Sequence, residues 1–150
     1  KVGRYSSDWT KAFDFTPGRV ITEFDNSLKR LQLSSVDILH VHDFEYCQNP
    51  EYIAKTTLPA VLQIVQSGKA RYIGITGYPL EEFVKVLDKT PIKVNAVLSY
   101  CRNTLIDCEL KVIFEVISFM VSKDCSRNIS PTLSLNILGL SMPPPPQWVF

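Results

Sequence analysis

Two histidines, His40 and His42, stand two residues apart in the run Val36-Asp37-Ile38-Leu39-His40-Val41-His42. Residues i and i+2 of a strand share a face, so both imidazoles are expected on one side. A neutral imidazole pair can converge on a metal ion, and a single imidazole can orient or relay a proton to a substrate oxygen. A core histidine satisfied by a hydrogen bond is the plain structural alternative. The chain has no third histidine and no Cys-x-x-Cys pair. Asp37, Asp43 and Glu45 offer carboxylates but do not complete a ligand set, so no metal site is expected.

Glycines raise a second chemistry. Gly68, Gly74 and Gly77 resemble a phosphate-cradling loop, but a dinucleotide fingerprint places its glycines between a strand and a helix start. Gly74 falls inside the second strand and Gly68 ahead of it, so that motif is rejected. Gly77 follows the strand and precedes a helix, where a free backbone amide could face a polar ligand or simply form a tight turn. Arg71 and Asp37 sit at strand starts, the rim of an α/β barrel that sets stability and that ligands do not reach.

The elements that must hold these residues alternate in type. Thr16 as N-cap, Pro17, and the stripe Val20, Phe24, Leu28 and Leu31 predict a helix. Val36 to His42 is short and mostly apolar, as in a strand buried on both faces of a parallel sheet. A helical stretch is expected from about Pro50 to Gln66, kinked or divided at Pro59 and stopped by Gly68. Arg71 to Thr76 reads as a second strand. Leu80, Phe83, Val84 and Leu87 read as a helix opened by Pro79, and Val94 to Ser99 as a third strand. This β-α-β-α-β order forces parallel pairing with right-handed crossovers, hence an α/β fold, doubly wound or (β/α)8. A complete barrel takes about 250 residues, so 150 residues predict an incomplete one.

Composition narrows the function classes. Sixteen Lys and Arg against fifteen Asp and Glu leave a net charge of +1, which gives no global attraction to nucleic acid or an anionic membrane. The apolar run Leu110 to Val121, broken by Lys111 and Glu115, is too short for the roughly 30 Å of a bilayer core. Cys47, Cys101, Cys108 and Cys125 form no framework and are expected as free thiols in the cytoplasm. The chain opens at Lys1 and its first methionine is Met120, so it is expected to be a piece of a longer product. A further strand is expected over 133–140, and the tetraproline Pro143 to Pro146 as a polyproline tail or proline-motif ligand.

Three runs, VDILHVHDFE (36–45), GKARYIGITGYPL (68–80) and VLSYCRNTL (97–105), together with the opening KVGRY, resemble four successive strand-plus-loop segments of the aldo-keto reductases. The likeness covers residues 1 to 110 and is strongest to the branch of the L-galactose and aldose 1-dehydrogenases. That resemblance implies an incomplete (β/α)8 TIM barrel over 1–110, followed by a divergent segment over 111–150. It implies hydride transfer between NADP or NAD and a sugar or small carbonyl substrate. Lys1 takes the place of the lysine that tunes the family's proton-donating tyrosine, and His42 that of the histidine that orients the substrate. The partner Asp and Tyr would fall before residue 1, so the chain alone is expected to be inactive. Thr76, Gly77, Ser99 and Tyr100 take the places of the nicotinamide contacts, in a form that departs from the commonest pattern.

Parallel strands would bring Lys1, His42, Thr76 and Tyr100 to one rim, consecutive members within roughly 5 to 10 Å. Four or five strands cannot close a barrel, so self-association through exposed sheet edges is expected. Two other classes stand beside this reading. One is a non-catalytic, truncated interaction protein; the other is a metal-dependent barrel hydrolase with His40 and His42 as ligands.

Overall fold

Thr16 and Pro17 open the first helix of the computed structural model, which describes residues 1–8, 11–102, 107, 109 and 110. Helix α1 runs Pro17–Leu31 with Thr16 as N-cap, yet the Thr16 hydroxyl does not cap it. Instead that hydroxyl and the Thr16 amide both donate to Asp14 Oδ1, at 2.7 and 2.9 Å. Val20, Phe24 and Leu28 are buried as the stripe requires, but Leu31 is 60% exposed. It occupies the last helical position, after which Gln32 turns into the left-handed region at φ 56° and the chain leaves the core.

Strand β1 (Val36–His42) pairs in parallel with β2 (Ala70–Gly77), which pairs in parallel with β3 (Ala96–Ser99). Val2 forms a further parallel bridge to Val41 on the free side of β1. The amide of Val2 donates to the His40 carbonyl, and that of His42 to the Val2 carbonyl. Each strand lies within two residues of its predicted span. Asn95, just before β3, already pairs with Ile73 through its backbone amide and its side-chain oxygen.

The helical stretch between β1 and β2 is continuous and changes type. It comprises α2 (Pro50–Tyr52), a π turn (Ile53–Thr57) and α3 (Leu58–Gln66). Pro59 has no N–H to give the carbonyl four residues back, and the chain absorbs the loss by widening the preceding turn, where Leu58 N–H bonds Ile53 O. Gly68 ends the stretch at φ +78°, as predicted for a C-terminal stop. Helix α4 (Leu80–Lys89) follows Pro79. Its buried face is Leu80, Phe83, Val86 and Leu87, with Val84 only half-buried.

The helices cover one face of the sheet, where Leu39, Val41, Ile73, Ile75 and Val97 are buried. The other face corrects the expectation for β1. Ile38 is 38% exposed and its register partner Tyr72 43%, so the strand is buried on one face only. Among the described residues the second face is exposed at Ile38, Tyr72 and Leu98, and no helix is long and apolar enough to cross a membrane. The segment 111–150 lies outside the described residues, and with it the rest of the apolar run, the strand expected over 133–140 and the tetraproline.

Candidate functional site

Register places the candidate residues at one end of the sheet. His42, the last residue of β1, faces Thr76, and Gly77, the last residue of β2, faces Ser99, the last of β3. Parallel neighbours lie about 4.8 Å apart, so these strand ends form one rim. Lys1 joins from the other side of β1, its Nζ 3.3 Å from His42 Nε2. Tyr100 follows β3 directly, 48% exposed, its ring 5.0 Å from that of Tyr78. At the opposite end of the strands Arg71 pairs with Asp37 at 3.0 Å, both well exposed, as expected of the far rim.

The loop after β1 supplies groups that the spacing of residues did not assign. Asp43 adopts a left-handed conformation at φ 52°, which L side chains other than Asn, Asp and Gly seldom take. Its Oδ2 lies 3.0 Å from His42 Nδ1 and 3.5 Å from Arg4. The next three residues form a 3₁₀ turn, Phe44–Tyr46, anchored by buried Phe44 edge-on to Phe83 of α4 at 4.9 Å. That turn presents Glu45 to the end of β2. Glu45 Oε1 accepts the Tyr78 amide at 2.9 Å, while Oε2 is buried over Gly77 without a hydrogen-bond partner. A Cβ at position 77 would collide with that carboxylate. The amide after Gly77 is thus held by the protein's own Glu45.

Thr76 is buried, and its hydroxyl receives only a long contact of 3.4 Å from the Asp43 amide. Ser99 Oγ donates to the Tyr78 carbonyl at 3.2 Å. Tyr78 therefore links three strand ends: Glu45 holds its amide, Ser99 its carbonyl, and the Arg102 guanidinium lies 4.5 Å from its ring centre. Sequence reasoning missed Tyr78 and Arg4 altogether, and it weighed Asp43 and Glu45 only as metal ligands. Their position immediately after His42 was the available signal.

Burial decides the charge of the site. It lowers the pKa of His42, opposed by Asp43 and reinforced by Lys1 and Arg4. Burial likewise lowers that of His40, whose ring lies over Gly74 on the neighbouring strand. Both imidazoles are thereby biased toward the neutral form, which can both donate and accept a hydrogen bond. Burial raises the pKa of Glu45, against the pull of the Tyr78 amide. Among the described residues no three His, Cys, Asp or Glu side chains gather as a metal site. Cys47 and Cys101 are free thiols.

Known proteins resemble this chain along its length. The model of the Aldo/keto reductase family matches residues 1–106. L-Galactose dehydrogenase of Arabidopsis thaliana is 39% identical over 149 residues, covering 99% of this chain and 44% of its own length. D-Arabinose 1-dehydrogenase of Saccharomyces cerevisiae is 26% identical over 111 residues, covering 70% of this chain and 32% of its own. The chain thus spans less than half the length of these relatives. An aldo-keto reductase from Bacillus halodurans, solved in its holo form, superposes with a TM-score of 0.64 at 16% identity, over 92% of this chain and 47% of its own. At that identity the likeness bears on the fold.

Proposed function

The chain belongs to the aldo/keto reductase family, and from that premise we propose that its rim is the catalytic edge of a nicotinamide-dependent sugar or small-carbonyl oxidoreductase. The observation that carries the reading is the convergence of Lys1 with His42, 3.3 Å apart, beside the in-register ends of β2 and β3. Members of this family use nicotinamide cofactors, and the bound group supplies or accepts the hydride.

The residues fit such a group in two ways. Ser99 brings a hydroxyl to the strand end, and the half-exposed Tyr100 ring offers an apolar surface next to it. Thr76 and Gly77 shape the floor, with the Glu45 carboxylate packed where a side chain at 77 would stand. Contacts to the adenosine half set the choice between NADP and NAD. Lys1 supplies the cation that favours ionisation of a nearby phenol, and His42 orients the substrate oxygen by hydrogen bonding. No residue of this rim is assigned the role of the proton-donating tyrosine or of its aspartate partner, and the 150 residues alone are expected not to turn over. The catalytic part is residues 1–110. Free Cys47 and Cys101 suit a cytoplasmic setting.

A second property rests on a different observation. Ile38, Tyr72 and Leu98 expose apolar surface on the second sheet face, which supports self-association through that face and its edges.

The test is a graft. Residues 1–106 replace the matched segment of L-galactose dehydrogenase, and nicotinamide-coupled oxidation of aldoses is followed by absorbance. The graft is expected to turn over, and Lys1→Met or His42→Ala to lower kcat by about 100 to 10,000-fold. Turnover insensitive to both substitutions, or comparable turnover by the 150-residue chain alone, would overturn the assignment.

A further inference from the structure

We propose that Asp43 is a positioning residue that fixes the tautomer of His42, keeping the ring proton on Nδ1 and leaving Nε2 as a hydrogen-bond acceptor at the rim. Its catalytic meaning rests on the oxidoreductase reading above; its test does not.

The argument starts at the far nitrogen. Lys1 Nζ is 3.3 Å from His42 Nε2, and a lysine ammonium can only donate. Nε2 must then present a lone pair, and a neutral imidazole with an accepting Nε2 carries its proton on Nδ1. The acceptor facing that nitrogen is Asp43 Oδ2, at 3.0 Å. At that distance Nδ1 makes no hydrogen bond in this ring orientation; the torsion that turns the ring is broad, and the proposal requires it to bring the two atoms into line. The charges facing His42 are the cations Lys1 and Arg4, the N-terminal ammonium and the Asp43 carboxylate, with neutral His40 below it on the same strand face.

Asp43 is held for this task from several directions. Its left-handed backbone, φ 52° and ψ 46°, follows directly on the end of β1. Arg4 lies 3.5 Å from the same carboxylate oxygen that faces the ring, and the side chain is only 13% exposed. A non-glycine residue kept in a sparsely populated conformation, with its carboxylate met by both His42 and Arg4, is over-determined by its surroundings, which is the usual setting of a functional constraint. The consequence for the site is chemical: an accepting Nε2 offers a single lone pair, here turned to Lys1, so a substrate hydroxyl engages it by taking the ammonium's place.

The experiment uses the 150-residue chain labelled with ¹⁵N-histidine. Only two histidines are present, and the variant His40→Gln assigns the signals. Above the imidazole titration, ring nitrogen shifts of His42 are expected to report one dominant Nδ1–H tautomer. Asp43→Gly, which suits the left-handed backbone and removes only the carboxylate, is expected to give a mixture of tautomers. Asp43→Asn, which keeps an acceptor at the same reach, is expected to recover a larger Nδ1–H population than the glycine variant. An Nε2–H tautomer in the parent chain, an unchanged ratio in Asp43→Gly, or equal ratios in the two variants would overturn the proposal. No cofactor or turnover enters the measurement, so its failure leaves the oxidoreductase reading intact, and a failed graft assay leaves the tautomer result intact.

Discussion

Gly74 has no room for a side chain, because the His40 ring of the neighbouring strand lies where its Cβ would stand. Gly74→Ala is therefore expected to destabilise the fold by about 1 to 3 kcal/mol, as overpacking does. Adding His40→Ala should remove much of that cost in a double-mutant cycle read by urea denaturation; additive effects would show that the two residues do not meet. The same histidine predicts a pH dependence. Its folded pKa lies below the ordinary 6.5, so between those values the unfolded chain binds more protons, and stability is lost as pH falls through that window. His40→Gln should flatten the slope of the urea midpoint below pH 6.5, and an unchanged slope would contradict the burial assigned to His40. Glu45 acts in the opposite sense: its raised folded pKa means a contribution present at low pH and lost as pH rises through that value. Residue types and spacing were enough to place His40 and His42 on one face and to set Gly74 inside a strand. They did not reveal that Asp43 and Glu45 turn back onto His42 and Gly77, since partners of loop carboxylates are chosen by backbone turns that leave no periodic signal.

Helices and strands were legible wherever one buried face imposed a period. Val20, Phe24 and Leu28 on α1, and Leu80, Phe83 and Leu87 on α4, were read from spacing and are buried. The period could not show where a helix leaves the core, and Leu31 continues the pattern while standing 60% exposed. Leu28→Ala is expected to cost about 2 to 5 kcal/mol, while Leu31→Lys should stay within about 0.5 kcal/mol of the parent. Equal losses in thermal denaturation would mean that the last turn of α1 packs against the core after all. The predicted division at Pro59 is a π turn because the flanking apolar residues Ile53, Ala54, Leu58 and Val61 are all buried. That packing keeps the helical backbone continuous past Pro59, and the missing N–H is accommodated by a wider turn. Burial of β1 on both faces was inferred from its unbroken apolar character, yet that character says only that both faces can be covered.

At the scale of the molecule, the parallel order β1-β2-β3 was legible from the alternation of strands and helices, and the family from four runs of sequence in one order. The exposed face bearing Ile38, Tyr72 and Leu98 should make the chain associate with rising concentration. Ile38→Lys is expected to lower the sedimentation-average mass, and a strictly monomeric parent chain at all concentrations would contradict this.

The central claim is that the shared ends of β1, β2 and β3 form a nicotinamide-dependent redox site, and the most direct measurement is a ¹H–¹⁵N titration of the chain with NADP⁺ and with NAD⁺, followed residue by residue. The account expects shifts confined to His42, Thr76, Gly77, Ser99 and Tyr100 and their immediate neighbours, with the helix-covered face silent. Shifts centred elsewhere, for example in the groove between α1 and α3 around Asp25 and Lys69, or no response to either cofactor up to its solubility limit, would contradict it.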